Sequence, residues 1–281
     1  MKKIKVITIA FIVIVLVIIF FSGRGETRLT SGGWEDSYAS FSPDGKKIVY
    51  VSNVSGSHDI WIMGRDGENN VRIINWTSEE TYPSWSPDGN SIAFTSNMNG
   101  NLDIWLTDVN TGESKQLTKD PSFDWHPSWS QNGKLMAYCS IGSPGNGSAI
   151  WIMNVSTGEK YRITQGESFD RGPAFSPDGK RIAFHSGSSN DDLWLIDMDG
   201  SNLTRLTSSA ENEWGVTWSP AADRIAFSSG TNGTNNIWIM ELSTGNKRQV
   251  TSGGNDLRPS WSPDGRQIAF HRDGDIWLKD L

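Results

Sequence analysis

Large, small and large apolar side chains follow one another in a short segment that this chain writes six times. The copies are Ile48-Val49-Tyr50, Ile92-Ala93-Phe94, Met136-Ala137-Tyr138, Ile182-Ala183-Phe184, Ile225-Ala226-Phe227 and Ile268-Ala269-Phe270. A two-residue period belongs to a β-strand whose two faces pack differently. Ahead of each copy stands an aromatic residue, Phe41, Trp85, Trp129, Phe175, Trp218 or Trp261, at a spacing of 43 to 46 residues. Ser-Pro-Asp-Gly, or a variant of it, joins the aromatic to the strand. That is hairpin chemistry: Pro presets φ, Asp bonds locally and Gly takes φ > 0.

Two further strands belong to each unit. One carries Trp61, Trp105, Trp151, Trp194, Trp238 or Trp277, and another begins at Arg28, Arg72, Gln116, Arg162, Arg205 or Gln249 with a pattern such as Arg-Leu-Thr. Four short strands repeated six times predict an all-β, six-bladed β-propeller. The aromatic columns are expected to pack blade against blade. The last unit stops after three strands at Leu281, while a spare fourth strand stands first, at residues 27–30. The amino-terminal strand is therefore expected to complete the last blade and leave no open edge. One closed domain over residues 27–281 follows, expected to be a monomer.

The motifs resemble the TolB-type six-bladed propeller family, whose units carry the same Trp-Ser-Pro-Asp-Gly, Ile-Ala-Phe, Asp-Ile-Trp and Leu-Thr elements. The resemblance spans residues 27–281. It implies binding of protein segments at the propeller mouth. TolB itself adds an amino-terminal α/β domain, in whose place a hydrophobic segment stands here. Similar blades accompany serine peptidases of the prolyl oligopeptidase and tricorn type, but no hydrolase domain follows these.

That amino-terminal segment, residues 1–26, changes the picture of location. Lys2, Lys3 and Lys5 precede an apolar run from Val6 to Phe21. The run predicts one hydrophobic helix that acts as an export signal. Phe20 and Phe21 fall where a cleavage site wants small residues, which favours an uncleaved signal anchor over a cleaved signal peptide. The lysines stay in the cytoplasm and the rest lies outside, so the protein is expected to be membrane-anchored and extracytoplasmic. The formal net charge of −7 argues against a nucleic-acid partner. Cys139 is the single cysteine, so neither a disulfide nor a cysteine-based zinc site is expected.

No Gly-x-Ser-x-Gly, His-Glu-x-x-His or phosphate-binding glycine loop occurs. No catalytic residue, cofactor or metal is predicted. His185 and His271 share a strand column with Val51, Thr95, Cys139 and Ser228, which reads as packing variation. Five residues before each repeat aromatic the chain is acidic in all six units: Asp36, Glu80, Asp124, Asp170, Glu213 and Asp256. On the strand that lines a propeller channel, these carboxylates either focus a negative potential on its mouth or accept neighbouring backbone N–H groups. The next two columns do not repeat, and Trp125, His126, Arg171, Trp214 and Arg258 stand there among Ser, Thr, Tyr, Gly and Leu. Trp and Arg anchor interfaces. The reading is a non-catalytic exported propeller that binds a protein or peptide partner of the cell envelope at an acidic mouth. The alternatives are an envelope polysaccharide lyase or hydrolase working through those carboxylates, and a purely structural envelope protein.

Overall fold

The computed structural model describes residues 25–142, 147–231 and 233–281, in which there are 24 β-strands. The hydrophobic helix and export signal expected before Gly25 lie outside the described residues. Six four-stranded antiparallel sheets form the blades. In the first blade β2 (Asp36–Phe41), β3 (Lys47–Ser52), β4 (Asp59–Gly64) and β5 (Val71–Arg72) follow from the axis outwards. Four more blades repeat this, with innermost strands β6 (Glu80–Trp85), β10 (Phe123–Trp129), β14 (Asp170–Phe175) and β18 (Asn212–Trp218). The sixth runs β22 (Asp256–Trp261), β23 (Gln267–Arg272), β24 (Asp275–Asp280) and then β1 (Glu26–Arg28). The amino-terminal strand therefore closes the last blade, pairing Glu26 with Lys279 and Arg28 with Trp277. Each innermost strand touches those of both neighbouring blades, which completes the ring.

The repeated apolar columns explain why blades need one another. Six buried clusters form, each between adjacent blades; one joins Val49, Ile60 and Ile62 to Trp85, Phe94 and Trp105, and another joins Phe41, Ile48 and Tyr50 to Ala269, Ile276 and Leu278. A blade alone would leave both of its faces wet. The turns between first and second strands are fastened as their sequence implies. Ser42 Oγ accepts the Lys47 amide (2.9 Å), Asp44 Oδ1 accepts the Lys46 amide (3.1 Å), and Gly45 sits at φ 68°. The irregular fifth copy, Ser219-Pro220-Ala221-Ala222-Asp223, keeps this geometry with Ala222 at φ 59° and Asp223 taking the serine hydroxyl (2.7 Å).

Outer strands lie slightly earlier than their sequence pattern suggests. They end at Arg28, Arg72, Gln116, Arg162, Arg205 and Gln249, where they were expected to begin. One more ladder bond follows, for example Leu117 N–H to Ile104 C=O (2.8 Å). Then a threonine side chain replaces the backbone: Thr118, Thr164, Thr207, Thr251 and Thr30 accept the next third-strand amide through Oγ1 at 2.8–3.0 Å. The recurring Thr is thus a strand terminator. Arg28, Arg72, Gln116 and Arg205 meanwhile bind the aspartate that opens the neighbouring strand, Asp275, Asp59, Asp103 and Asp192.

Candidate functional site at the channel mouth

Every innermost strand bulges at one place. In β2 the register slips between Ser37 and Ser40, and the same slip recurs in the other five first strands. The extra residue turns left-handed: Tyr38 (φ 55°), Tyr82 (54°), His126 (56°), Gly172 (59°), Gly215 (67°) and Arg258 (56°). A bulge bends the strand and re-aims the side chain. Here it delivers all six residues to the channel wall. A left-handed tyrosine, histidine or arginine costs about 1–2 kcal/mol, so four of six blades carry local strain that the closed ring sustains. Such strain gathers at binding and switch sites.

The six residues surround a central cavity of about 190 Å³. On the side where first strands begin, it opens into a hollow of about 540 Å³ bordered by Tyr82, Trp125, His126, Arg171, Trp214 and Arg258. The five non-repeating residues picked from sequence thus meet in one place. The Arg258 guanidinium lies over the rings of Tyr38, Tyr82 and Trp214, at 5.2, 5.4 and 4.9 Å from their centroids. Tyr38 meets Tyr82 edge-on at 4.4 Å, and Tyr82 meets His126 in the same way at 3.7 Å. Arg171 Nη2 binds both oxygens of Asp191 (2.7 and 3.0 Å).

Sequence reasoning missed several members. Tyr38 and Tyr82 stand in the same non-repeating column, and that was the available signal. His185, expected to be packing, borders the hollow, as do Asp191, Asn212 and Asn235. A Cβ on Gly172 would lie 2.6 Å from the His185 ring, so the imidazole occupies room that only glycine leaves. Burial, reinforced by the Arg258 charge, holds His126 and His185 well below the ordinary histidine range and lowers His271 to about 3. All three are neutral at pH 7. Burial likewise raises the Cys139 thiol, which accepts the Gly172 amide at 3.3 Å and lies 3.7 Å from His126 Nδ1.

The acidic column lies elsewhere. Asp36, Glu80, Asp124, Asp170, Glu213 and Asp256 are at most 7% exposed, and none borders the hollow. Each faces a residue across the hairpin: Ser52, Ser96, Ser140, Ser186, Ser229 or Arg272. Glu80 accepts the Ser96 hydroxyl (2.9 Å) and Asp170 that of Ser186 (2.6 Å). Glu213 meets Lys247 Nζ (3.1 Å) and Asp256 is gripped by Arg272 (2.5 and 2.9 Å). Strand alternation sends these side chains into the blade, so the column is internal bracing and the expected acidic mouth is not formed. The charges that do border the hollow are Arg171, Arg258 and Asp191.

Asp124 is the least satisfied of the six, with no well-formed hydrogen bond to either oxygen. Burial pushes its carboxyl up to about 6, offset only in part by the Ser140 and Thr118 hydroxyls. The folded state therefore holds this proton more tightly than the unfolded one. Its stabilisation is complete below the unfolded pKa of about 3.9 and is lost as pH rises through 6. Asp124→Asn removes the ionisation. It is expected to raise stability at pH 8 by roughly 2–3 kcal/mol and to leave it little changed at pH 4; thermal melts at the two pH values check this. An equal effect at both would mean that Asp124 is not a strained carboxylate.

Several exposed apolar side chains share this side of the disc. Trp34, Val54, Met98, Phe123 and Phe169 are exposed, and all sit in connections on this side of the disc or at their edges. Among the described residues no group of three or more His, Cys, Asp or Glu is placed to hold a metal ion.

Comparison with known proteins agrees with this architecture. The sequence pattern of the TolB beta propeller domain matches residues 14–141 and 143–276. The chain belongs to the TolB β-propeller family. Among solved structures, TolB from Acinetobacter baumannii superposes with a TM-score of 0.69 at 22% identity, over 88% of this chain and 64% of that one. This TolB-family chain thus spans under two thirds of that relative's length. A putative TolB from Agrobacterium tumefaciens gives 0.74 at 25% identity, over 90% and 92% of the two chains. The same fold occurs in an oligogalacturonate lyase from Vibrio parahaemolyticus (TM-score 0.65, 14% identity, 93% and 95% covered).

Proposed function

We propose that this TolB-family chain is an exported, membrane-anchored, non-catalytic propeller that binds a protein or peptide partner of the cell envelope at its channel mouth. The observation that carries this reading is the convergence of Trp125, His126, Arg171, Trp214 and Arg258 on one hollow, with exposed apolar side chains on the same side of the disc. Half-buried tryptophan and arginine side chains gathered in one concavity are the residue types that dominate protein-binding hot spots. The six repeated carboxylates, which a lyase or hydrolase reading would enlist, are buried inside the blades, and Asp191 is paired with Arg171. A photo-crosslinking amino acid in place of exposed Phe123, on the mouth side, should trap one discrete partner in intact cells. The same group at Asn90, in the turn on the opposite face, should not. Loss of the partner at both, or equal trapping at both, would overturn the mouth as the binding site and leave the structural envelope role.

The proposed anchor fixes which face is free. The Asp280 amide donates to Gly25 C=O (2.9 Å) at the Ser-Pro-Asp-Gly side of the disc, so the chain enters there. Only Ser22 to Gly25 separate the apolar run from β1, a reach of about 13–14 Å. That is too short to swing around the disc, and the mouth faces away from the lipid. Single cysteines at Thr77, on the mouth side, and at Asn90, on the other, would test this on whole cells with a bulky impermeant thiol reagent. Both positions are exposed and native Cys139 is buried. Thr77→Cys should label rapidly and Asn90→Cys slowly. The reverse order would refute the orientation, and equal rapid labelling would indicate a released protein.

A further inference from the structure

We propose that the hollow recognises a carboxylate at the tip of its peptide partner, seated on Arg258; this rests on the mouth-binding reading and names the chemistry of the group that enters. Charge accounting comes first. Of the charged side chains that border the hollow, Arg171 and Asp191 neutralise each other at 2.7 Å. Arg258 has no carboxylate within salt-bridge distance among the described residues. Its contacts are with ring faces, those of Tyr38, Tyr82 and Trp214. Among the described residues no side chain or carbonyl accepts a hydrogen bond from the guanidinium, and its planar fork of N–H groups matches a carboxylate. A cation held at the neck of a cavity by three aromatic rings, with no counter-ion, is half of an ion pair.

The unpartnered atoms of the wall agree. His126 Nε2, His185 Nδ1 and Arg171 Nε are buried without a hydrogen bond. Buried polar groups are nearly always paired, and exceptions call for a ligand or a solvent partner. Arg171 Nε can only donate. The Cys139 thiol keeps its proton and faces His126 Nδ1; donating there, it makes Nδ1 the acceptor and places the imidazole hydrogen on Nε2, which has no partner. The wall is therefore short of acceptors, and an anion supplies them.

Size and charge narrow the class. One uncompensated positive charge suits a single carboxylate better than a doubly charged phosphate. The hollow of about 540 Å³ narrows at Tyr82, His126 and Arg258 into a space of about 190 Å³. A chain entering end-on thus brings its tip to Arg258, with Trp125 and Trp214 left to cover the residues behind it. A peptide C-terminus has this form, and an acidic side chain at the apex of a loop offers the same group.

The test uses the full chain in detergent micelles and three non-tryptophan probes: acetyl-Gly-Gly-Phe with a free carboxyl, its C-terminal amide, and acetyl-Gly-Asp-Gly amide. Tryptophan fluorescence follows the titration. The free acid should bind at least about tenfold more tightly than the amide, and added salt should weaken it. A comparable affinity for the aspartyl probe would support carboxylate recognition with the side chain as the source. Arg258→Gln should narrow the acid–amide gap to under about twofold, with Arg258→Lys restoring part of it. Equal binding of acid and amide by the native chain, which involves no variant, would overturn the proposal. So would absence of binding by every probe up to about 10 mM, a concentration at which even a weak site of millimolar Kd is occupied. If the probes fail while the crosslinker at position 123 still traps its partner, the mouth stands and the carboxylate falls.

Discussion

Arg272→Leu is expected to destabilise the protein by roughly 3–5 kcal/mol, the range for stripping one partner from a buried ionic cluster. Arg272 sits inside the sixth blade and binds Asp256 with two nitrogens (2.5 and 2.9 Å) and Glu26 with a third (2.9 Å). Glu26 opens β1, the strand that closes the ring, and Asp256 opens β22, the innermost strand of the same blade. One guanidinium therefore ties the axis of the closing blade to its rim. Both carboxylates are buried, so leucine would strand two negative charges in a dry sheet. They would protonate or pull water in, and β1, only three residues long, would detach first. Thermal unfolding in micelles should show a large drop, and proteolysis should begin near Gly25. Combining Arg272→Leu with Glu26→Leu and Asp256→Leu should recover much of the loss, since an apolar cluster of similar volume replaces the ionic one. A loss under about 1 kcal/mol for the single change would mean that the cluster is solvated and closure rests on the backbone ladder alone.

The architecture could be read from sequence because six copies voted on each position. Blade number, strand order and the amino-terminal closure all follow from columns such as Ile48 to Ile268 and from the spare strand before Trp34. The site was only partly legible. A column that refuses to repeat marked Trp125, His126, Arg171, Trp214 and Arg258, yet nothing local announced the left-handed bulge. Four of its six positions carry Tyr, His or Arg where glycine would have been the cue. The acidic column misled because a carboxylate at a strand start looks solvent-facing when its partner is distant in sequence. The signal was there sixteen residues on, as Ser52, Ser96, Ser140, Ser186, Ser229 and Arg272. A serine column in register with an acidic one means cross-strand pairing inside the blade. Likewise His185 and His271 looked like packing because the rest of their column, Val51, Thr95, Cys139 and Ser228, is small. Only the closed ring brings His126, His185 and His271 around one arginine.

Two kinds of tryptophan should part company under mutation. Trp105 is 9% exposed, opposite Phe94 on the neighbouring strand, and meets Trp76 edge-on at 5.0 Å within the cluster between the first two blades. Truncation there removes an indole from a packed interior and leaves a cavity that rigid sheets cannot close. Trp105→Ala is expected to cost roughly 3–5 kcal/mol. Trp125 and Trp214 are only half-buried and border the hollow. Their rings face open space on one side, so truncation forfeits part of their packing and creates no enclosed void. The double change Trp125→Ala with Trp214→Ala should cost under about 2 kcal/mol, within the ordinary range for partly exposed sites. It should nevertheless abolish partner trapping, because Trp214 also supports the Arg258 guanidinium (4.9 Å). Trp105→Ala should still trap the partner at temperatures where it remains folded. Thermal melts and crosslinking yields, measured on both variants, decide the matter. Equal destabilisation by the two changes would make the mouth tryptophans packing residues like Trp105, and the binding role assigned to that face would have to be withdrawn.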